Sequence, residues 1–341
     1  MKYCFGIDIG GTSIKTGLFT EEGGETGLCS LPARIGGNGT HIYDDAAESV
    51  RTMLDEYGIS ASDVLRVGVA VPGPVYGDGR IGLANNLAIY GGYPAEEISA
   101  RLGGIKAVTV NDANAAGLGE LWAGSGKDCR SLCLVTLGTG VGSAIIIDGK
   151  VVTGKHGAGG EIGHICVEPE EKEPCNCGAR GCCEFYASAT GIVRVAGRML
   201  ASGDPMIPVS DGSANGKGRC TGSGSRLEAF GDRLTARDVC DLAKTGDALA
   251  CRILDFSMDR LARALAAVTL TVDPEVFVIG GGVAAAGSVL TDRIGTGLCR
   301  YLPIIRERDH KVRTALLGNK AGMYGAAKLA LEGGETAGWH L

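Results

Sequence analysis

Apolar positions along this chain fall into short alternating runs and longer helical-period stretches, and together they predict an ordered series of strands and helices. Lys2 to Asp8 and Ser13 to Thr20 are β-rich runs joined by Ile9-Gly10-Gly11-Thr12, which predicts a hairpin, with a glycine-rich turn from Glu21 to Gly27 behind it. Ile42, Ala46, Val50, Met53, Leu54 and Tyr57 recur at helical spacing, and Leu65 to Val71 is an apolar run of the kind that fills a buried strand. The alternation returns as a strand at Ile105 to Val110, a helix from about Ala113 to Trp122, and strands at Ser131 to Leu137 and Val141 to Ile147 closed by an Asp148-Gly149 turn. Ala236 to Leu270 is helical in pattern, Glu275 to Ile279 is a buried strand ended by Gly280-Gly281-Gly282, and Ala321 to Leu331 predicts a closing helix. The pattern is that of an α/β protein with a mostly parallel sheet flanked by helices. No heptad or solenoid period is present, but a strand, glycine-rich turn, strand unit recurs at Asp8 to Thr12 and Leu137 to Gly142, as two related lobes would produce.

Composition narrows the class. The chain has 341 residues, 45% apolar and 21% charged, within the range of a two-domain globular protein. Its start lacks the charged-then-apolar profile of a signal peptide and no apolar stretch is long enough for a bilayer, so the expectation is a cytoplasmic protein with no membrane partner. A net charge of -6 gives no basic field for nucleic acid. Most of the 13 cysteines stand singly in apolar stretches, as free thiols do in a reducing compartment. Residues 202–226 are rich in Gly, Ser and Pro without periodicity and read as a flexible surface insertion.

The two glycine turns carry the first candidate chemistry. A phosphate chain needs several backbone N–H groups converging on one concavity, and glycine permits that approach. Gly10, Gly11 and Thr12, and Gly138, Thr139 and Gly140, have this composition, and ordinary hairpin turns would have it too. Asp8 is placed to hold Mg2+ and Lys15 to add positive charge near phosphates. The standard P-loop is absent. Gly281, in the third glycine run, suits close approach of a nucleotide base or ribose, or a plain strand-to-helix turn. Asn111-Asp112 stands where a strand gives way to a helix, so Asp112 is either a helix N-cap or a general base, or both, and Asn111 suits a sugar hydroxyl.

The most specific constellation is His164 with Cys175, Cys177 and Cys182, an imidazole and three thiols within 20 residues, curled by Gly178 and Gly181. Tetrahedral, structural zinc is the expected guest, with a fourth thiolate, Cys183, in place of His164 as the competing assignment. Glu161 and Glu184 flank the loop and, with the second ring nitrogen of His164, form a set suited to neighbouring sugar hydroxyls.

The ordered set Asp8-Ile9-Gly10-Gly11-Thr12, Asn111-Asp112-Ala113-Asn114-Ala115-Ala116, Leu137-Gly138-Thr139-Gly140-Val141-Gly142, Glu161-Ile162-Gly163-His164 and Cys175-x-Cys-Gly-x-x-Gly-Cys-x-Glu184 resembles the ROK family of repressors, uncharacterised reading frames and kinases, from residue 2 to about 331. The resemblance implies an actin-like ATPase (ribonuclease H-like) fold, two lobes with a nucleotide/sugar cleft between them. The lobes would be 1–111 with the closing helix at about 320–333, and 112–319. It implies a homodimer with ATP, Mg2+ and structural Zn2+, and phosphorylation of a hexose, glucose to glucose 6-phosphate first and N-acetylmannosamine or N-acetylglucosamine next. By position, Asp112 matches the catalytic base, Asn111, Glu161, His164 and Glu184 the sugar ligands, and His164, Cys175, Cys177 and Cys182 the zinc ligands. Gly73 and Asn86 fall in segments that line the sugar pocket. Two departures lie close to the sugar: Cys183 replaces a larger apolar residue, and Leu87 to Gly91 replaces a stretch that often carries Trp. A sugar-sensing regulator of the same family is the alternative from another class, disfavoured because Asp8 lies too near the start for a preceding DNA-binding helix-turn-helix.

Overall fold

In a computed structural model of the protein, which describes residues 1–35, 37–84, 87–202, 225–305 and 311–333, β1 (Tyr3–Ile9) and β2 (Ser13–Thr20) form the expected hairpin. The glycine-rich stretch behind them is shorter than its composition suggests. Thr20 N–H closes the turn on Gly24 O, and Glu25–Pro32 is a further strand, β3, antiparallel to β2. Most of its residues are exposed or half-buried, so this edge strand lacks the apolar run that would announce it. Helix α1 (Thr40–Tyr57) covers the sheet with Ile42, Ala46, Val50 and Met53, which share one core with Phe5, Ile7, Val67 and Val69. After β4 (Val64–Val71) come two short strands, β5 (Leu83–Ala84) and β6 (Ile89–Tyr90), helix α2 (Pro94–Arg101), and β7 (Ala107–Asn111). The sheet order is β3-β2-β1-β4-β7. It is mixed rather than mostly parallel, because β4 and β7 add parallel to β1 while the hairpin and edge strand pair antiparallel.

Helix α3 (Asp112–Trp122) leaves β7 directly. A second sheet of order β10-β9-β8-β11-β12 contains β8 (Leu132–Leu137), β9 (Val141–Ile147), β10 (Lys150–Val151), β11 (Val276–Gly280) and β12 (Lys311–Thr314). Asp148 and Gly149 join β9 to β10 with φ of 49° and 79°, the left-handed pair a two-residue hairpin demands. The intervening helices are α4 (Glu184–Ala187), α5 (Ala189–Ser202), α6 (Ala236–Lys244), α7 (Ala248–Val272) and α8 (Ser288–Tyr301). The single helical pattern from Ala236 to Leu270 is thus two helices, because Asp247 caps α7 by accepting from Leu249 and Ala250 N–H. Along α7, Ile253, Leu254, Met258, Leu261 and Leu265 are fully buried. The residues fall into two units, Met1–Leu134 with Ser143–Gly160 and Ala315–Leu341, and Val135–Gly142 with Glu161–Thr314. Of the expected insertion at 202–226, residues 203–224 lie outside the described residues, as does Asn86. Among the described residues no helix is long and apolar enough to cross a membrane, and every cysteine is a free thiol.

The closing helix α9 (Ala321–Leu331) matches its expected bounds, and its packing belongs to the first unit. Gly17, Gly6 and Gly68 stand side by side on β2, β1 and β4, a row without Cβ atoms on which α9 lies. A Cβ on Gly6 would collide with the Met323 carbonyl, and one on Gly68 with that of Ala326. On its other side Gly325 lets α9 approach the backbone of α3 at Ala115. The approach to α9 is anchored by Glu120 of α3, a fully buried carboxylate that accepts from Leu316 N–H (3.0 Å), Leu317 N–H (2.7 Å) and Ser125 N–H (2.8 Å).

Candidate active site

Within the first unit, strand register decides which side chains meet. Asp8, Ala70 and Val110 share one row of β1, β4 and β7, so Asn111 and Asp112 emerge at the carboxyl edge of the sheet, near which Asp8 stands as the next-to-last residue of β1, two strand spacings or about 10 Å away. Asn111, not Asp112, is the N-cap of α3, its Oδ1 accepting from Asn114 N–H at 3.0 Å. That corrects the N-cap expectation and leaves Asp112 as the first helical residue, where its carboxylate also suits the positive end of the helix. Asp112 Oδ1 accepts from Ala113 N–H (2.8 Å) and from Asn111 Nδ2 (3.0 Å), while Asn111 Nδ2 also donates to Gly73 O (3.0 Å). Gly73 (φ 93°), Asn111 and Asp112 are therefore brought together.

Asp8 faces Lys15 across the hairpin, with Oδ2 3.7 Å from Nζ. Burial pushes the Asp8 carboxyl above the usual carboxylate range and Lys15 works against that shift. Gly322 of α9 makes room for this carboxylate, since a Cβ there would stand 2.9 Å from Asp8 Cγ; its distance in sequence hid the role. In the adjoining turn Gly10 N–H donates to Ser13 O (2.9 Å), which commits that amide to the hairpin.

In the second unit the turn after β8 behaves alike, with Gly138 N–H donating to Gly140 O (3.0 Å). Glu184 packs onto it: Oε2 accepts from Val141 N–H at 2.8 Å, and any Cβ on Gly140 would strike that oxygen. Glu161 immediately precedes the 3-10 turn Ile162–His164. Burial raises its carboxyl above the usual range, His164 lowers it and the like charge of Glu184 raises it further, so the three expected sugar ligands are electrostatic neighbours.

The metal loop is held by Cys175 N–H to Ala179 O (2.7 Å) and by the positive φ of Gly178 (88°) and Gly181 (72°). One donor atom each from His164, Cys175, Cys177 and Cys182 lies within 4.8 Å of the others, and the Cys177 and Cys182 sulfurs are 3.6 Å apart. Sulfurs around a tetrahedral zinc stand about 3.8 Å apart, given Zn–S bonds of ~2.3 Å, so the cluster fits that ion. Cys183, the competing ligand, is not in the cluster; it is fully buried. An anchor that sequence spacing did not reveal fixes the preceding segment. Burial opposes the charge of Glu171, but the Arg198 guanidinium (2.7 Å) and Tyr186 hydroxyl (2.6 Å) outweigh it and hold the carboxyl at about 2.

A cavity of about 510 Å³ opens beside the Leu137-Gly138-Thr139 turn in the same unit. Its walls include Val283 and Ala286, with Thr235, Arg237, Asp241 and Lys244 at the start and along α6. That size and mixed lining suit a nucleoside. Gly282 lines it, whereas Gly281 (φ 82°) serves packing, because a Cβ there would stand 2.5 Å from Leu137 O. The α6 residues were missed because charged residues on an amphipathic helix look the same whether they face a cavity or bulk water.

Comparison with known proteins gives consistent results. The profile described as the ROK family matches residues 4–333. A glucokinase of Halalkalibacterium halodurans is 34% identical over 330 residues, 96% of this chain and 94% of that protein. An N-acetylmannosamine kinase of Yersinia pseudotuberculosis is 28% identical over 330 residues, 95% of this chain and 98% of that protein. The crystal structure of a ROK family glucokinase from Streptomyces griseus, in complex with glucose and AMPPNP, superposes with a TM-score of 0.70 at 29% identity, covering 97% of this chain and 99% of that one.

Proposed function

The chain belongs to the ROK family, and on that premise we propose that it transfers the γ-phosphoryl group of ATP to a hexose hydroxyl, with glucose as substrate and glucose 6-phosphate as product. The observation that carries this reading is the Asn111-Asp112 pair, whose carboxylate is held at the carboxyl edge of a sheet by one backbone and one side-chain donor. Asp112 accepts the proton of the attacking hydroxyl, and Asn111, fixed by Gly73 O, orients that hydroxyl. Glu161, His164 and Glu184 bind sugar hydroxyls, with Glu184 held by Val141 N–H. Because Gly10 and Gly138 N–H are committed within their own turns, phosphate binding falls to the amides of Gly11 and Thr12 and of Thr139 and Gly140. The cavity beside Leu137 takes the nucleoside. Asp8 would hold Mg2+, which would supply charge neutralisation at the phosphates. His164, Cys175, Cys177 and Cys182 would hold zinc as a structural ion, which would supply loop rigidity.

The test is ADP release by the purified protein with Mg-ATP, alone and with glucose, N-acetylglucosamine, N-acetylmannosamine, fructose or allose at equal concentration. Glucose is expected to give the highest turnover. A clear preference for N-acetylmannosamine would transfer the assignment to the activity named for the Yersinia relative, and sugar binding without any turnover would defeat the kinase reading.

Loop rigidity has a separate consequence. Since the cluster fixes the segment from His164 to Glu184, Cys177→Ser is expected to lower zinc retention and to weaken glucose binding about 10- to 100-fold. Metal content and calorimetric glucose affinity check this, and unchanged affinity in the zinc-depleted variant would separate the loop from the sugar site.

A further inference from the structure

Two thiols beside the metal loop, Cys166 and Cys183, have no part in the function proposed above. Cys183 is fully buried, which suits packing. Cys166 is exposed and forms an antiparallel bridge with Cys182. On either side of that bridge Val167 N–H donates to Gly181 O (2.7 Å) and Cys183 N–H to Ile165 O (2.9 Å). These bonds bracket the pair, so Cys166 and Cys182 occupy a non-hydrogen-bonded position, where facing Cα atoms stand about 4.5 Å apart. Disulfides span Cα separations of roughly 4.4 to 6.8 Å. The Cys166 sulfur already lies against the opposite strand, 3.0 Å from where a Cβ on Gly181 would be.

We propose that Cys166 is a thiol–disulfide exchange site through which an oxidised low-molecular-weight disulfide closes a Cys166–Cys182 bond and dismantles the metal loop. The bond itself depends only on the strand register; its effect on metal rests on the zinc assignment above, in which Cys182 is a donor. Among the described residues Cys166 is the exposed thiol outside the donor set, so it reacts first. Its sulfur attacks one sulfur of the small disulfide, the S–S bond breaks, and one small thiol departs with the proton that Cys166 gives up. The Cys182 sulfur, a thiolate when it holds zinc, then attacks the Cys166 sulfur of the mixed disulfide and expels the second small molecule as a thiolate, which takes its proton from water. Two protein thiols are oxidised by two electrons in all, and one small disulfide is reduced to two thiols. Cys182 can then no longer serve as a thiolate donor, three donors remain, and Glu184 two residues later loses its fixed approach.

The experiment treats purified protein, its zinc content first measured after acid release, with oxidised glutathione. Free zinc is followed with a chromogenic chelator, and disulfides are mapped by mass spectrometry of non-reduced peptides. The expected result is a Cys166–Cys182 peptide that forms at the rate of zinc release and is reversed by dithiothreitol. Cys166→Ser should keep wild-type turnover and zinc but release zinc at least tenfold more slowly. A Cys177–Cys182 bond in place of Cys166–Cys182, or wild-type zinc release from Cys166→Ser, overturns the proposal. Fresh protein without zinc would overturn the metal assignment alone, because the peptide map still decides whether Cys166 is the exchange site.

Discussion

Asp112→Asn is expected to lower kcat by about 10²- to 10⁴-fold while leaving a folded protein. The loss follows from replacing a carboxylate by an amide that cannot take the proton of the attacking hydroxyl. Folding survives because the N-cap of α3 is Asn111, and the asparagine introduced at 112 keeps a carbonyl oxygen to accept from Ala113 N–H. What is lost structurally is a negative charge in the first helical turn, worth about 0.3 to 1 kcal/mol. Glucose affinity should change much less than turnover, since Asn111 remains fixed by Gly73 O. ADP release measured beside a thermal melt decides the matter. Activity above a tenth of wild type, in a variant that melts normally, would remove Asp112 from the role of base.

Gly325→Ala is expected to destabilise the protein by about 2 to 4 kcal/mol, although alanine is the better helix former by about 1 kcal/mol. The sign is set by packing: a Cβ at 325 would enter the backbone of α3 at the Ala115 carbonyl, and peptide groups cannot swing aside as a long side chain can. Retreat of α9 on the other side is blocked by the sheet, where Gly6 and Gly68 already bring strand and helix backbones together. For a domain of 150 to 250 residues this corresponds to a fall in Tm of roughly 4 to 16 °C. Thermal or urea unfolding would show it. Wild-type stability in Gly325→Ala would mean that the two helices are not in close backbone contact.

The amino-acid sequence determined what depends on near neighbours in the chain. Period-3.6 spacing fixed α1 and α9, the Asp148-Gly149 pair fixed its hairpin, and the cysteine spacing with two glycines anticipated a loop whose donors converge. Those signals are local, because each comes from the backbone preferences or donor chemistry of a few consecutive residues. Tertiary structure alone decided the rest. The edge strand β3 is stabilised by backbone pairing that leaves little hydrophobic trace, and the choice of Asn111 over Asp112 as cap turns on one hydrogen bond. The glycine row at 17, 6 and 68, the room that Gly322 leaves for Asp8, and the register that pairs Cys166 with Cys182 all join segments remote in sequence. Each is a matter of distance between atoms, and no local pattern encodes a distance to a residue that only folding brings near.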